Sequence, residues 1–493
     1  MSHAQSSTDL GQRLGLRDLA FAAALFTGLL IVFEFAAQDT LYGDGESMLR
    51  YFAPREGPPK VWSHTLLTTS ARALRALGVG SSDFESLRAV SQVAAAAGGT
   101  ATFLLARGWG ARRVPALAAG LLLASAPTYV FYGTTIEIHV LHAACFAIAG
   151  CAVVFAPWQR PALAVAVSSL ALPLICLSHE TGPILGAGLV AMAQVGRERL
   201  GLKPLSLRAL CFGVGPAFLL VVVAAFVWNI HLGGSTVPEV IARDVKEAHH
   251  FSAPVTLDTF LEIWLEPLGL ILPAAVAAVI AGAVAGWRLA ALAATFLPSL
   301  IFFTSWGVIE RGGYALPSAT VLAVCSALLL SRARAGGRVE AIQWLMVALH
   351  ALFACATVQA YVGPRWEDIS EGRSTVVHNV LGSPCVLYSI NYRSVFIEFP
   401  GANEVNLYPY LVQGMSSQAT PDEFADDVFP LILADVESGA SVGLDMSYYD
   451  ALRIGSPLFH SYMEALQDRL RQHLWVQLVD DPLWPVQRLR PRP

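Results

Sequence analysis

Lysine is nearly missing from this chain. It occurs only at positions 60, 203 and 246, and charged residues of every kind make up 14% of the 493. Soluble domains carry about 25% charged residues, so with 55% hydrophobic residues and a mean hydropathy of +0.54 this chain is excluded from that class. It reads as an integral membrane protein. The basic residues it does have are almost all arginine, and alanine is abundant, which points to a bacterial source. Cysteine is sparse as well. Residues 145, 151, 176, 211, 325 and 355 fall in apolar runs and only Cys385 in a polar stretch, so neither a disulfide framework nor a zinc spacing is present. There is no internal repeat, low-complexity tract or P-loop, which weighs against an ATP-driven transporter. The first apolar run, Asp18 to Ala37, is longer than a signal-peptide core and has no A-x-A cleavage pattern. It is expected to be a true span.

What the chain has in quantity is apolar runs. A membrane-crossing helix needs about 20 apolar residues. On that template eleven spans are expected, near 18–37, 86–106, 113–132, 136–157, 161–177, 181–196, 208–230, 261–286, 288–306, 313–331 and 340–361. Arginine and lysine in short connections mark the cytoplasmic side. One side holds Arg13, Arg17, Arg107, Arg112, Arg113, Arg160, Arg197, Arg199, Lys203, Arg208, Arg288, Arg332, Arg334 and Arg338, whereas the short loops of the other hold only Arg311. This places the N-terminus in the cytoplasm and the C-terminus outside, with larger outer segments at 38–85, 231–260 and 362–493.

The expected fold class is therefore mainly α, a polytopic membrane domain over 1–362 followed by a C-terminal extracytoplasmic α/β domain over 363–493. In the first outer segment, "SHTLLTTSARALRAL" sets Leu67, Ala71, Leu74 and Gly78 along one helical face and Thr68, Arg72 and Arg75 along the other. That is the pattern of an interfacial helix lying on the membrane. The C-terminal domain alternates β-like runs ("SPCVLYSI", "EVNLYPYLV", "ASVGLDMSYY") with helical ones ("DEFADDVFPLILADVE", "LFHSYMEALQDRLRQHL"). No residue there stands out for a role.

Ionisable groups near span ends are costly and need a partner or a task. Here they gather on one face. "LYGDGESMLRYF" puts Asp44 and Glu46 after the first span; "YGTTIEIHVLH" puts Glu137, His139 and His142 at the outer end of the fourth; "LSHETG" puts His179 and Glu180 between the fifth and sixth; "WGVIERGGY" puts Glu310 and Arg311 between the ninth and tenth. Each has a plainer explanation. Asp44 suits a helix N-cap with Glu46 favouring the positive helix start, Glu137 and His142 would pair with each other or line a helix interface with no ligand, His179 and Glu180 would satisfy a turn, and Arg311 would anchor an interface. His249 and His250, adjacent in a polar loop, read as solvated. The joint placement on one side is what independent explanations do not anticipate.

The order "GDGESMLRYF…GPPKVWSHTLL", "YGTTIEIHVLHAACFAI", "LICLSHETGPILGAGLVAMA" and "ERGGYALPS" resembles membrane glycosyltransferases of the GT-C fold, in particular the protein O-mannosyltransferase-like branch, over about the first 330 residues. The chain departs from that pattern: its acids are one residue closer together, His139 stands at the aromatic position after Glu137, and two glycines separate Arg311 from Tyr314. The resemblance implies a glycosyltransferase moving sugar from a polyprenyl-phosphate-linked donor to an acceptor at the outer face of a bacterial plasma membrane. A weakly nucleophilic hydroxyl needs a carboxylate to take its proton, which makes Asp44, or else Glu46, the expected base. A departing phosphate needs a cation, which points to Arg311 helped by His179. His64, Glu137, His139, Glu180 and Tyr314 complete the implied substrate-binding set.

Some GT-C enzymes hold a divalent ion on carboxylates and others do not. Asp44, Glu46, Glu137 and Glu180 offer the oxygen donors that Mg²⁺ or Mn²⁺ prefers, and metal use stays open. The implied partners are membrane lipid, the lipid-linked donor and an acceptor that is protein, glycan or lipid; no nucleic acid is implied. The alternative reading is a transporter or flippase for a lipid-linked or small polar substrate, against which stand the clustering of ionisable groups at one end and the absence of repeated halves. A non-catalytic membrane scaffold is a third reading, and it leaves the acid cluster without a task.

Overall fold

A computed structural model describes residues 14–38, 65–80, 82–232, 257–265, 267–305, 311–332, 337–362, 366–390, 401–407, 419–446, 457–479 and 485–492, with positions 48, 236–238 and 410–411 between them. The chain divides into two compact units, one running through the helices as far as Val362 and one beginning at Gly363.

The first unit is helical. Its elements are α1 (Leu16–Phe35), α2 (Thr65–Ala76), α3 (Asp83–Gly108), α4 (Arg113–Ala124), α5 (Pro127–Thr134), α6 (His139–Phe155), α7 (Pro161–Ser178), α8 (Gly186–Arg199), α9 (Gly215–Leu232), α10 (Ile271–Ile280), α11 (Trp287–Ser305), α12 (Leu316–Arg332) and α13 (Gly337–Val362), with one-turn pieces at Gly182–Leu185 and Arg311–Tyr314. Among the described residues, six helices are long and apolar enough to cross a membrane: α1, α3, α7, the Leu207–Leu232 run that ends in α9, α11 and α13 up to Ala356. A seventh crossing results if α4 and α5, bent by 66° at their junction, are one broken span. The bend falls where Pro127 follows Ala126, which holds an extended ψ of 131°, as a residue before proline prefers. The shorter apolar helices α6, α10 and α12 lie in three of the other expected stretches. The chain is a multi-pass membrane protein.

α3 is the centre of the bundle, packing on α1, α4 and α6. It starts with a full capping box, the Ser82 hydroxyl accepting from the Glu85 amide while the Glu85 carboxylate accepts from the Ser82 amide. Small residues let its neighbours come close. Cβ atoms at Gly99 and Gly120 would overlap Leu29 and the Gly99 carbonyl respectively, so the α3–α4 crossing depends on both glycines, as small-residue contacts between membrane helices do. α2 buries Leu67 and Ala71 as its sequence requires, but two details differ from expectation. Thr68 is buried too, its hydroxyl donating to the Thr65 carbonyl at 3.2 Å, and Gly78 lies beyond the helix end with φ of 78°. A short threonine that satisfies its own hydroxyl locally tolerates the buried side.

The second unit contains α14 (Trp366–Leu381), β1 (Cys385–Ser389), β2 (Ala402–Asn406), α15 (Pro421–Glu437), β3 (Ser441–Asp445), α16 (Pro457–His473), β4 (Leu474–Val479) and β5 (Val486–Pro491). Its five strands run in the order β2-β1-β3-β5-β4, parallel for β2, β1 and β3 and antiparallel onward. The register aligns Cys385 with Ala402 and with Ser441. Because strand side chains alternate between faces, Cys385 and Leu387 pack with Val377 and Leu381 of α14, while Tyr388 joins Phe424, Val428 and Ile432 of α15 and Leu466 and Leu470 of α16. Cys385, expected in polar surroundings, is buried in this sheet. Burial on both faces is the pattern of parallel strands covered by helices.

Candidate active site

The helix-starting and helix-ending residues of α6 and α7 build the site. Residues 135–138 break the helix before α6, and α7 stops at Ser178, where His179 turns to extended backbone with φ of −161°. Three histidine rings meet there, all buried. His139 lies 5.6 Å from His179 and His142 lies 5.1 Å from His179, ring centre to ring centre. Tyr314 stands edge-on to both His139 at 4.6 Å and His179 at 5.3 Å. Tyr132 and Phe303 close the aromatic wall, against His139 at 4.9 Å and Tyr314 at 5.0 Å.

The two glycines between Arg311 and Tyr314 now have a reason. A Cβ on Gly313 would overlap the His139 ring, and one on Gly312 would press on Pro267 and Thr128. The backbone turn at Arg311–Tyr314 lies flat on the histidine because those side chains are missing.

A hydrogen-bonded relay fixes the ring orientations. His142 Nδ1 meets Ser178 Oγ at 2.9 Å, His142 Nε2 meets Thr181 Oγ1 at 3.3 Å, and Thr181 Oγ1 meets His179 Nδ1 at 2.9 Å. The Thr181 amide also donates to His179 Nδ1 at 3.1 Å. That donation makes Nδ1 an acceptor, so in neutral His179 the proton sits on Nε2. The Ser178 hydroxyl donates to the Ile175 carbonyl at 3.1 Å, so its oxygen accepts from His142 Nδ1–H, which leaves His142 Nε2 an acceptor for the Thr181 hydroxyl. His142 is engaged by Ser178 and Thr181, so the expected pairing with Glu137 gives way to this relay. Glu137 is itself buried: its Oε1 accepts from the Ile138 amide at 2.8 Å, and its own backbone exchanges hydrogen bonds with the Ser91 hydroxyl of α3 at 3.1 and 3.3 Å.

Of the residues expected to form a site, His139, His179 and Tyr314 are thus in mutual contact. Glu137 immediately precedes the cluster, Glu180 is half-buried beside it in sequence, and Arg311 opens the turn that carries Tyr314. Asp44, Glu46 and His64 lie outside the described residues, as do His249, His250 and Glu310. Among the described residues no group of three or more His, Cys, Asp or Glu side chains could hold a metal ion. Glu137 Oε1 accepts from a backbone amide, and two of the four carboxylates named for a metal, Asp44 and Glu46, lie outside the described residues. Ser178, Thr181, Tyr132 and Phe303 were not anticipated. Serine and threonine bracketing His179 in "SHET" are a signal that could have found two of them, because short hydroxyl side chains bond locally at helix ends.

The chain has the GT-C fold. It is similar along nearly its whole length to ArnT from Cupriavidus metallidurans. The apo structure of that protein matches with a TM-score of 0.57 at 14% identity, covering 96% of this chain and 98% of that one. The structure of the same protein bound to undecaprenyl phosphate matches with a TM-score of 0.56 at 13% identity, covering 95% and 97%. No protein-family model and no curated protein sequence matches the chain. At such identity the likeness is one of fold.

Proposed function

We propose that this protein is an inverting glycosyltransferase that moves a sugar from a polyprenyl-phosphate-linked donor to an acceptor hydroxyl at the outer face of the plasma membrane, within an eleven-span domain over 1–362 whose N-terminus is cytoplasmic. The observation that carries this reading is the buried His139, His142, His179 and Tyr314 cluster in a fold similar to that of ArnT, a protein known in complex with undecaprenyl phosphate. Buried, hydrogen-bonded imidazoles around an aromatic wall are groups that bind an anion in a water-poor setting.

In this reading the acceptor oxygen attacks the anomeric carbon, the bond from that carbon to the phosphate oxygen breaks, and the acceptor proton passes to Asp44, with Glu46 the other candidate. His179 Nε2–H donates to the phosphate, and Arg311 balances its charge as the lipid phosphate leaves. A lipid-linked donor accounts for a site at a membrane surface, since its tail stays in the bilayer. The 66° break between α4 and α5 is the one observation that favours a transporter, whose spans are often interrupted.

One experiment separates the two. Membranes holding the protein are given radiolabelled polyprenyl-phosphate sugar, with wild type compared against Asp44→Asn and Glu46→Gln. Transfer that is lost in one of the folded variants supports the enzyme and names its base; transfer untouched by both removes the carboxylate assignment. Substrate crossing vesicles without being consumed supports the transporter.

A further inference from the structure

The other end of the helix bundle has a cavity that sugar transfer does not use. Along α3, Ser91 bonds beside the histidine cluster and Arg107 stands sixteen residues on, about 24 Å away at the rise of an α-helix. There a cavity of about 460 Å³ opens between α1, α4 and α13, lined by Arg17, Arg107, Arg112, Arg113, Gln343 and Trp344 among others. Two of these arginines are held by one buried carboxylate: Asp18 Oδ1 accepts from Arg107 Nε at 3.0 Å and from Arg113 Nε at 2.8 Å. Arg112 is set by its amide donating to Ser331 Oγ at 3.0 Å and by its guanidinium at the Leu330 carbonyl. Arg17 is exposed and makes no ion pair among the described residues.

Four guanidiniums against Asp18 and the lining Glu340 leave the cavity with a net positive charge of two. α4 begins at its wall with no side-chain cap on its first turn, which adds the positive end of a helix to the same space. Trp344, 42% exposed, lines its rim, as tryptophan does at headgroup level. The inside-positive bias of membrane loops requires only that these charges lie on one side. It does not require arginines from separate helices to surround a concavity, nor a buried aspartate that aims two of them.

The geometry points to a binding site for a phosphate anion of the kind an anionic phospholipid headgroup carries, at the arginine end of the bundle and independent of sugar transfer. Arginine forks match phosphate oxygens two at a time, and basic pockets between membrane helices are known headgroup receptors. Asp18 holds Nε of Arg107 and of Arg113, which leaves Arg113's two terminal nitrogens without a partner among the described residues.

The full-length protein in detergent is titrated with dioleoylphosphatidylglycerol or dioleoylphosphatidylcholine and bound lipid is counted by native mass spectrometry. Phosphatidylglycerol is expected to bind in preference. Arg17→Gln, which breaks no ion pair among the described residues, is expected to weaken it about five-fold, and Arg17→Gln with Arg113→Gln about 25-fold, following the contribution of one arginine at a lipid surface. Phosphatidylcholine binding should not change. Inorganic phosphate that displaces phosphatidylglycerol would assign the site to a soluble phosphate compound; failure to displace it would assign it to the lipid. Equal binding of the two lipids by wild type, or undiminished phosphatidylglycerol binding by the singly substituted, folded protein, overturns the proposal.

Discussion

Replacing Thr181 by valine tests the relay at its middle link. Valine keeps the shape of threonine and removes only the hydroxyl, which contacts both His142 Nε2 and His179 Nδ1. The Thr181 amide still donates to His179 Nδ1, so that ring keeps its tautomer. The loss falls on His142. Its Nε2 becomes a buried acceptor with no donor, which costs roughly 1–3 kcal/mol. Over the roughly 360 residues of the helical unit that lowers the melting temperature by about 1–4 °C, from the usual unfolding entropy per residue. With the hydroxyl link between His142 and His179 gone, sugar transfer is expected to slow roughly 10- to 100-fold, one to two factors of 1.4 kcal/mol. Thr181→Ser restores the hydroxyl and should restore both. Thermal unfolding in detergent and transfer from radiolabelled polyprenyl-phosphate sugar are the two readouts. Thr181→Val that melts and transfers as wild type would refute the relay, and a serine variant no better than valine would show that methyl packing, not the hydroxyl, was lost.

Gly313→Ala should push His139 away from the Arg311–Tyr314 turn, because its Cβ would overlap the ring; transfer is expected to fall more than about 10-fold, with overpacking costing roughly 1–3 kcal/mol, and an alanine variant of normal activity would show that the turn has room to shift. In the second unit Arg373 is buried and bonds both Glu404, at 2.8 Å, and Asp445, with Ser389 donating to Glu404 at 2.7 Å. Burial acts against its charge, but Asp445 and then Glu404 hold its pKa above the ordinary arginine value. Arg373→Met leaves two carboxylates uncompensated and should cost roughly 3–5 kcal/mol, read by calorimetry as earlier unfolding of the C-terminal unit; an unshifted transition would show the charges to be solvated. At the start of α15 the Glu423 carboxylate accepts from the amide and hydroxyl of Thr420, which lowers its pKa from the ordinary carboxylate value. A lowered folded value means that this stabilisation is present above the unfolded pKa and is lost as pH falls through the folded one. The protection factor for amide exchange at the α15 N-terminus should therefore fall on acidification below about pH 4.3, and Thr420→Ala should flatten that dependence.

Much of this fold was legible because apolar runs and helix caps act locally. The expected stretches for α1, α3, α7, α11 and α13 became long apolar helices, β1 and β3 fell in the runs that suggested them, and β2 began two residues before its own. What was not legible depended on contacts made across the chain. The break at Pro127 was hidden inside one apolar run, since hydrophobicity cannot separate a straight helix from a bent pair. β4 and β5 were missed: "LWVQLV" follows α16 without a turn, and "VQRLRP" is too polar on its outer face to stand out. Arg373 lies 31 residues from Glu404 and 72 from Asp445, a separation no local pattern records. At the site, His139 and His179 were singled out because each stood at a span end and Tyr314 through the family resemblance, whereas Ser178 and Thr181 looked like ordinary turn residues until their hydroxyls met the rings.

α3 also governs how the protein stands in its membrane. The last charge near its start is Arg88 and the first near its end is Arg107, so its uncharged length is about 28 Å at the helical rise, close to the roughly 30 Å of a bilayer's hydrocarbon core. A helix with no length to spare has little freedom to tilt, since leaning would draw one of those guanidiniums below the headgroups. α1, α4 and α6 all pack on it and inherit that constraint. Bilayers of longer-chain lipids must therefore thin around the protein, which keeps the histidine cluster at one depth below the local surface whatever the thickness of the host membrane.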